Sequence, residues 1–229
     1  FGYGKYEIRC KIPRGKGFFP AFWTFNGPGW NEIDVFEFWN EEECFGKDFD
    51  ESRLSKNPHF NMHSDFLGKK ETKSCSSDLY GKCDDWNGPD YSDDFHTFTM
   101  IWDNYQIAWY IDGELKRTSY KFYSIQGQPI PCQSVKAYQT YIMNLAFPLE
   151  EHQRIIANLA IFKDEEGGPD NFIPDSFEID YIRYYKKIPC AEKLTIGNKD
   201  DLNLNSEIYN VIIGANVNLT GNYSIADGE

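Results

Sequence analysis

An all-β sandwich or jelly roll is the fold this sequence predicts, on three observations. Short alternating or aromatic-rich runs recur along most of the chain. Gly, Pro, Asn and Asp clusters punctuate them, and helical periodicity is nearly absent. Aromatic residues make up 17% of the chain, with 18 Phe, 15 Tyr and 6 Trp, which suits pleated, half-buried surfaces.

Residues 1–12 alternate, Tyr3, Lys5, Glu7 and Arg9 interleaving with Gly4, Tyr6, Ile8 and Cys10, as a strand does. Pro13-Arg-Gly-Lys-Gly17 is turn chemistry. Phe18–Phe25 is too short for a helix and is bounded by Asn26-Gly-Pro-Gly29, so it reads as a buried strand. Glu32–Trp39 reads as another, 40–58 as an acidic loop and Phe60–Phe66 as a strand. Residues 67–94 read as a long surface loop. Phe95–Trp102 and Gln106–Ile111 form a hairpin across Asp103-Asn-Tyr, and Asp112-Gly113 makes the next tight turn. Val135–Phe147 and Ser176–Tyr185 are the last long strands. Between them Leu149, Ile155, Ile156 and Leu159 have roughly helical spacing, which predicts a helical turn or more within 149–161. No internal repeat stands out. Residues 1–188 therefore read as one large domain, 189–206 as a polar linker and 207–229 as the beginning of a small appended β module.

Charge narrows the function. The formal net charge is −13, from 23 basic and 36 acidic residues, which argues against sequence-independent nucleic-acid binding and against docking on anionic lipid. No apolar run reaches the roughly 20 residues of a membrane span. A start at Phe1, inside a strand pattern and without a signal peptide, reads as a piece of a longer protein. The six cysteines, Cys10, Cys44, Cys75, Cys83, Cys132 and Cys190, contain no C-x-x-C pair, which disfavours zinc. Cys75 and Cys83 are either bridged or, with the others, reduced. The acidic composition and the sequons at Asn218 and Asn222 lean toward a secreted, cell-surface or periplasmic protein.

The chemistry concentrates in Glu32-Ile33-Asp34-Val35-Phe36-Glu37. Strand residues two apart share a face, so Glu32 and Asp34 point together. Plain alternation would put Phe36 with them and Glu37 opposite. A β-bulge at Val35-Phe36 supplies one extra residue and returns Glu37 to the Glu32 face. Three carboxylates in line repel one another and are rarely stacked without use. Glu32 and Glu37 then lie four strand steps apart, roughly 13 Å between backbones. Side chains leaning inward bring their carboxyls to about 5–5.5 Å, the spacing of a retaining glycosidase. Trp23, Trp30 and Trp39 surround the triad, and sugar rings stack on such faces. Acidic residues two apart on an exposed strand are otherwise a solvated face, as Glu178 and Asp180 are read to be. A calcium loop is disfavoured, because such loops are Gly/Asp-rich turns.

Three segments, Phe1-Gly-Tyr-Gly-Lys-Tyr-Glu-Ile-Arg9, Gly17-Phe-Phe-Pro-Ala-Phe-Trp23 and Glu32-Ile-Asp-Val-Phe-Glu37, resemble the central block of glycoside hydrolase family 16. Phe95-His-Thr-Phe98, Tyr110-Ile-Asp-Gly113, Met143-Asn-Leu-Ala146 and Phe177-Glu-Ile-Asp-Tyr-Ile-Arg-Tyr184 resemble its later strands, so the similarity covers about 1–187. The extra residue in E-x-D-x-x-E is similar to the laminarinase, agarase and carrageenase group. The resemblance implies a concanavalin-like jelly roll whose N-terminal strands are missing here, with the cleft on the concave sheet. It implies an endo-acting retaining hydrolase of β-linked polysaccharide, first of all laminarin-type β-1,3-glucan. Agarase- or carrageenase-type galactanases, a transglycosylase and a non-catalytic carbohydrate-binding jelly roll are the alternatives. Glu32 takes the nucleophile position, Asp34 the assisting position, its charge helping to keep the acid protonated, and Glu37 the acid/base position. Trp23 matches the aromatic beside the cleaved bond, and His63 a cleft histidine near the acid/base. Asn144 matches a cleft-facing Asn, and Trp30 a subsite or packing residue. Trp102 and Trp109 read as core. Catalysis needs no cofactor. Asp180 matches a position that in some members ligates a structural calcium. A polysaccharide substrate and a monomeric state complete the expectation.

Overall fold

A computed structural model describes residues 1–27, 31–38, 55–64, 71–73, 88–130, 140–144, 147–148, 152–162 and 174–186, together with 194–196, 202–203, 211–213 and 219–220. The chain divides into two compact units, Phe1–Tyr184 and Tyr185–Glu229. All regular structure described is strand.

The larger unit is two five-stranded sheets. One holds β1 (Gly4–Lys11), β6 (His96–Trp102), β7 (Gln106–Ile111), β8 (Glu114–Tyr120) and β12 (Glu178–Lys186), in the order β12-β1-β6-β7-β8. The other holds β2 (Phe18–Asn26), β3 (Asn31–Glu37), β4 (His59–Ser64), β5 (Glu71–Lys73) and β11 (Arg154–Ile161), in the order β11-β2-β3-β4-β5. A short ribbon pairs β9 (Phe122–Tyr123) with β10 (Ile142–Met143). Asp112 and Gly113, both at positive φ, close the β7–β8 hairpin, and their left-handed geometry matches the strand twist.

Alternation decides what is buried. Phe22, Ile33, Val35, Phe36 and Phe38 of the second sheet pack on Tyr6, Ile8, Phe98, Met100, Trp102 and Trp109 of the first. Trp102 and Trp109 are core residues, as the sequence indicates. Phe36 is the hinge of this layer. Its ring meets Phe98 at 4.5 Å, Phe38 at 5.5 Å, Phe177 at 6.2 Å and Phe22 at 6.3 Å. Cys10 is buried among these residues as a free thiol, and burial pushes its pKa up; the other five cysteines lie outside the described residues.

Three expectations are corrected. Arg154–Ile161 is a strand, not helix: Ile155 and Ala157 pack on the core while the intervening residues face away, a period of two. The expected loop 67–94 contains β5, which extends the second sheet. Of the expected strand Val135–Phe147, Ile142–Met143 is strand, and 131–139 and 145–146 lie outside the described residues.

The smaller unit also carries a repeat that the sequence reading missed. Leu194–Ile196 pairs in parallel with Val211–Ile213, and Leu202–Asn203 with Leu219–Thr220. Both pairings have the same offset of 17 residues. At that offset Ile196/Ile213, Gly197/Gly214, Leu202/Leu219, Asn205/Asn222 and Ile208/Ile225 are identical.

Candidate active site

The site is built on one face of β3. Trp23 stands opposite Asp34, but Phe22 stands opposite Phe36, so Val35 is the extra residue on β3. On the other side Asp34 pairs with Asn61 and Glu37 with His59, again one residue more on β3. This is the bulge expected at Val35-Phe36. Val35 and Phe36 both turn into the core, and Glu37 returns to the face of Glu32 and Asp34. Trp109 fixes the strand at this point, its indole N–H donating to the Asp34 carbonyl at 2.9 Å through the buried interior. The Arg117 guanidinium lies over the Trp109 ring at 5.0 Å and donates to the Phe60 carbonyl at 2.8 Å, tying β8 to β4.

Cross-strand register arranges this face in rows. One row runs Arg154, Phe25, Glu32, His63, and the next Ile156, Trp23, Asp34, Asn61. The third runs Asn158, Ala21, Glu37, His59. Trp23 and Phe25 thus stand one strand from the carboxylates, their rings 5.6 Å apart. The Trp23 indole N–H donates to Asn158 Oδ1 at 2.8 Å, which sets the plane of the ring.

Asp34 is the buried member of the triad, 1% exposed. Burial, first, and the Glu32 charge, second, push its carboxyl well above the usual range, against a hydrogen bond from the side of Glu37 that lowers it. Burial and the neighbouring charge thus make the ionised form of Asp34 costly. His63 Nε2 lies 3.2 Å from Asp34 Oδ2 and 3.5 Å from Glu32 Oε1. Asn61 orients this imidazole. Its Oδ1 accepts the Met62 N–H at 2.9 Å, so its Nδ2 donates to His63 Nε2, also at 2.9 Å. Nε2, which receives the Asn61 amide N–H, is then an acceptor. His63 belongs to the Glu32–Asp34 end of the triad, not to the acid/base end where the sequence reading put it. The residue opposite Glu37 is His59, whose pKa burial lowers to about 4.

The other expected residues separate. Asn144 is not on this sheet: its Nδ2 donates to the Tyr120 carbonyl at the end of β8. Asn158 holds the cleft position instead, and the tripeptide Asn-Leu-Ala, present at 144–146 and again at 158–160, is the signal that could have found it. Trp30 and Trp39 lie outside the described residues. Asp180 Oδ2 accepts from Arg9 Nη1 at 2.7 Å on the far face of the first sheet, and Glu178 pairs with Lys11 at 2.6 Å. Around Asp180 the described residues offer a cation pair, not a shell of oxygen ligands for calcium. Among the described residues, the His/Asp/Glu group with metal-ligand spacing is Glu32, Asp34 and His63, within 4.8 Å of one another.

Comparison with known proteins agrees with this geometry. The chain is 28% identical over 198 residues to the glucan endo-1,3-beta-glucosidase A1 of Niallia circulans, covering 81% of this chain and 24% of that protein. It is 32% identical over 123 residues to the beta-glucanase of Bacillus amyloliquefaciens, covering 52% of this chain and 41% of that one. The chain thus spans less than half the length of these relatives. The laminarinase catalytic domain of Thermotoga maritima superposes with a TM-score of 0.52 at 27% identity, covering 82% of this chain and 65% of that domain. The family model of glycosyl hydrolases family 16 matches residues 1–150. A bulged strand bearing Glu32, Asp34 and Glu37 on a curved antiparallel sheet and a family match over most of the chain lead to one assignment: this chain belongs to glycosyl hydrolases family 16.

Proposed function

We propose that this chain is the catalytic part of an endo-acting, retaining β-glycosidase whose substrate is a laminarin-type β-1,3-glucan. The observation that carries the reading is the bulge, which gathers Glu32, Asp34 and Glu37 on one face beside Trp23.

In this reading Glu32 attacks the anomeric carbon and forms a glycosyl–enzyme ester. Glu37 protonates the departing glycosidic oxygen, then takes a proton from the water that hydrolyses the ester. In its protonated form, which burial and the Glu32 charge favour, Asp34 spares Glu32 the like-charge repulsion that a second anion would add. His63, held by Asn61, backs the same pair. Trp23, its plane set by Asn158, offers the stacking surface for the sugar beside the cleaved bond. No step calls for a cofactor. A polymeric substrate supports a location outside the cell or at its surface; no described helix is long and apolar enough to cross a membrane.

The test is release of reducing ends from laminarin, mixed-linkage glucan, agarose, κ-carrageenan and xyloglucan, with Glu32→Gln alongside. Activity on laminarin that Glu32→Gln abolishes, with polysaccharide binding retained, is the expected result. Near-normal turnover by Glu32→Gln would overturn the nucleophile assignment. Binding without turnover by the wild-type chain would point to a lectin on the same scaffold.

A further inference from the structure

The face that carries the carboxylates also carries a permanent cation that this reaction does not use. Arg154 opens β11 and is exposed. Ile155 and Ala157 point into the core, so Arg154 lies on the opposite face, with Ile156 and Asn158. The hydrogen bond from Trp23 to Asn158 identifies that face as the cleft. Register puts Arg154 in one row with Phe25, Glu32 and His63. Two inter-strand spacings separate it from Glu32, about 10 Å between backbones, with the Phe25 ring between them. Among the described residues the Arg154 side chain makes no hydrogen bond or ion pair, whereas Arg9, Arg14, Arg117 and Arg183 each meet a carboxylate or a carbonyl.

We propose that Arg154 forms a subsite for an anionic substituent, a carboxylate or a sulfate ester, on a sugar bound over Phe25, so that the enzyme favours an acidic decorated β-glycan. The inference rests on the reading above that the polysaccharide lies across β2 and β3. Its physical basis is the mismatch between this position and its surroundings. The chain is strongly acidic, and the ionised carboxylates of its cleft would repel an anionic polymer. A guanidinium offset from them by two strands offsets that repulsion locally. Its planar fork accepts a carboxylate or sulfate through two parallel N–H donors. Its backbone lies about 10 Å from that of Glu32, beyond the ~8 Å Debye length of physiological salt, so salt screens the effect of the cation on the reacting pair. A neutral glucan has no group that needs a fixed positive charge there.

The experiment compares kcat/KM on unmodified, carboxymethylated and sulfated laminarin for the wild-type chain, Arg154→Gln and Arg154→Lys. The quantity read is the ratio of anionic to unmodified substrate within each protein, which cancels the effect of random substitution on productive binding. Arg154→Gln is expected to lower that ratio about tenfold, the loss of one charge-assisted contact. Arg154→Lys should recover part of it, and raising the salt should shrink the wild-type ratio. The carboxymethyl and sulfate arms distinguish which anion the fork holds. An unchanged ratio in Arg154→Gln, or an equal fall on unmodified laminarin, overturns the proposal. If no laminarin is cleaved by the wild-type chain, the proposed function fails separately. Affinity electrophoresis in gels containing each of the three polymers then still tests the subsite, because Arg154→Gln must lose retardation by the anionic polymers selectively.

Discussion

Replacing Phe36 by Ala tests the bulge through stability alone. Plain alternation would leave Phe36 beside Glu32 and Asp34 on the cleft face, where its removal would cost within about 1 kcal/mol. The bulge instead buries it completely, against Phe22 of β2, Phe38 just after β3, Phe98 of β6 and Phe177 before β12. A buried Phe→Ala change costs about 3–5 kcal/mol from lost transfer energy and the residual cavity. Its ring contacts place Phe36 toward the upper half of that range, about 4 kcal/mol. For a chain of this size each kcal/mol is worth about 2–4 °C, so melting should fall by roughly 8–16 °C. Urea unfolding followed by tryptophan fluorescence reads the loss directly, and Phe36→Leu, which keeps much of the volume, should lose clearly less. A loss below about 1 kcal/mol for Phe36→Ala would refute the bulge geometry, and with it the shared face of the three carboxylates.

Other substitutions probe the site's supports. The native state holds the Asp34 proton more tightly than the unfolded chain does. Its contribution to stability is therefore full below the ordinary carboxylate pKa of 3.8 and is lost as pH rises through the raised native value. Asp34→Asn escapes that loss, so its melting temperature should gain on wild type between pH 4 and pH 8. Its kcat should meanwhile fall about 10²–10³-fold, because an amide can neither take up nor release the proton that Asp34 exchanges with its carboxylate neighbours. Asn158→Leu frees the Trp23 indole: KM should rise about fivefold, the worth of about 1 kcal/mol, with a shift in tryptophan emission that a distant surface change would not produce. Trp109→Phe removes the donor to the Asp34 carbonyl. Urea unfolding should show a loss of about 2–4 kcal/mol, and kinetics should show kcat suffering more than KM, because the strand and not the sugar platform has moved.

Particular residues show how far the sequence carries. The carboxylate face is legible because β3 alternates charge with large apolar residues, and one extra residue in that pattern can only be absorbed by a bulge. The raised pKa of Asp34 is not legible, because it follows from burial that only packing produces. The strand Arg154–Ile161 was hidden by the adjacent Ile155 and Ile156, whose spacing fits a helix over a short window as well as a strand. That misreading also cost Asn158 and Arg154, since without β11 neither has a register beside Trp23 and Phe25. His59 and Asn61 carry no motif of their own, and their place opposite Glu37 and Asp34 is a property of pairing between strands. The C-terminal offset of 17 residues rests on few identities and becomes visible only in the parallel pairing.

Glu32 can act as a nucleophile only in a retaining reaction. Proton NMR of laminarin hydrolysis by this chain, recorded in the first minutes before mutarotation, reports the configuration of the new reducing ends. With Glu32 as nucleophile, the β-anomer is released first and then relaxes to the equilibrium mixture. Initial release of the α-anomer would show inversion in a single displacement and would contradict that role.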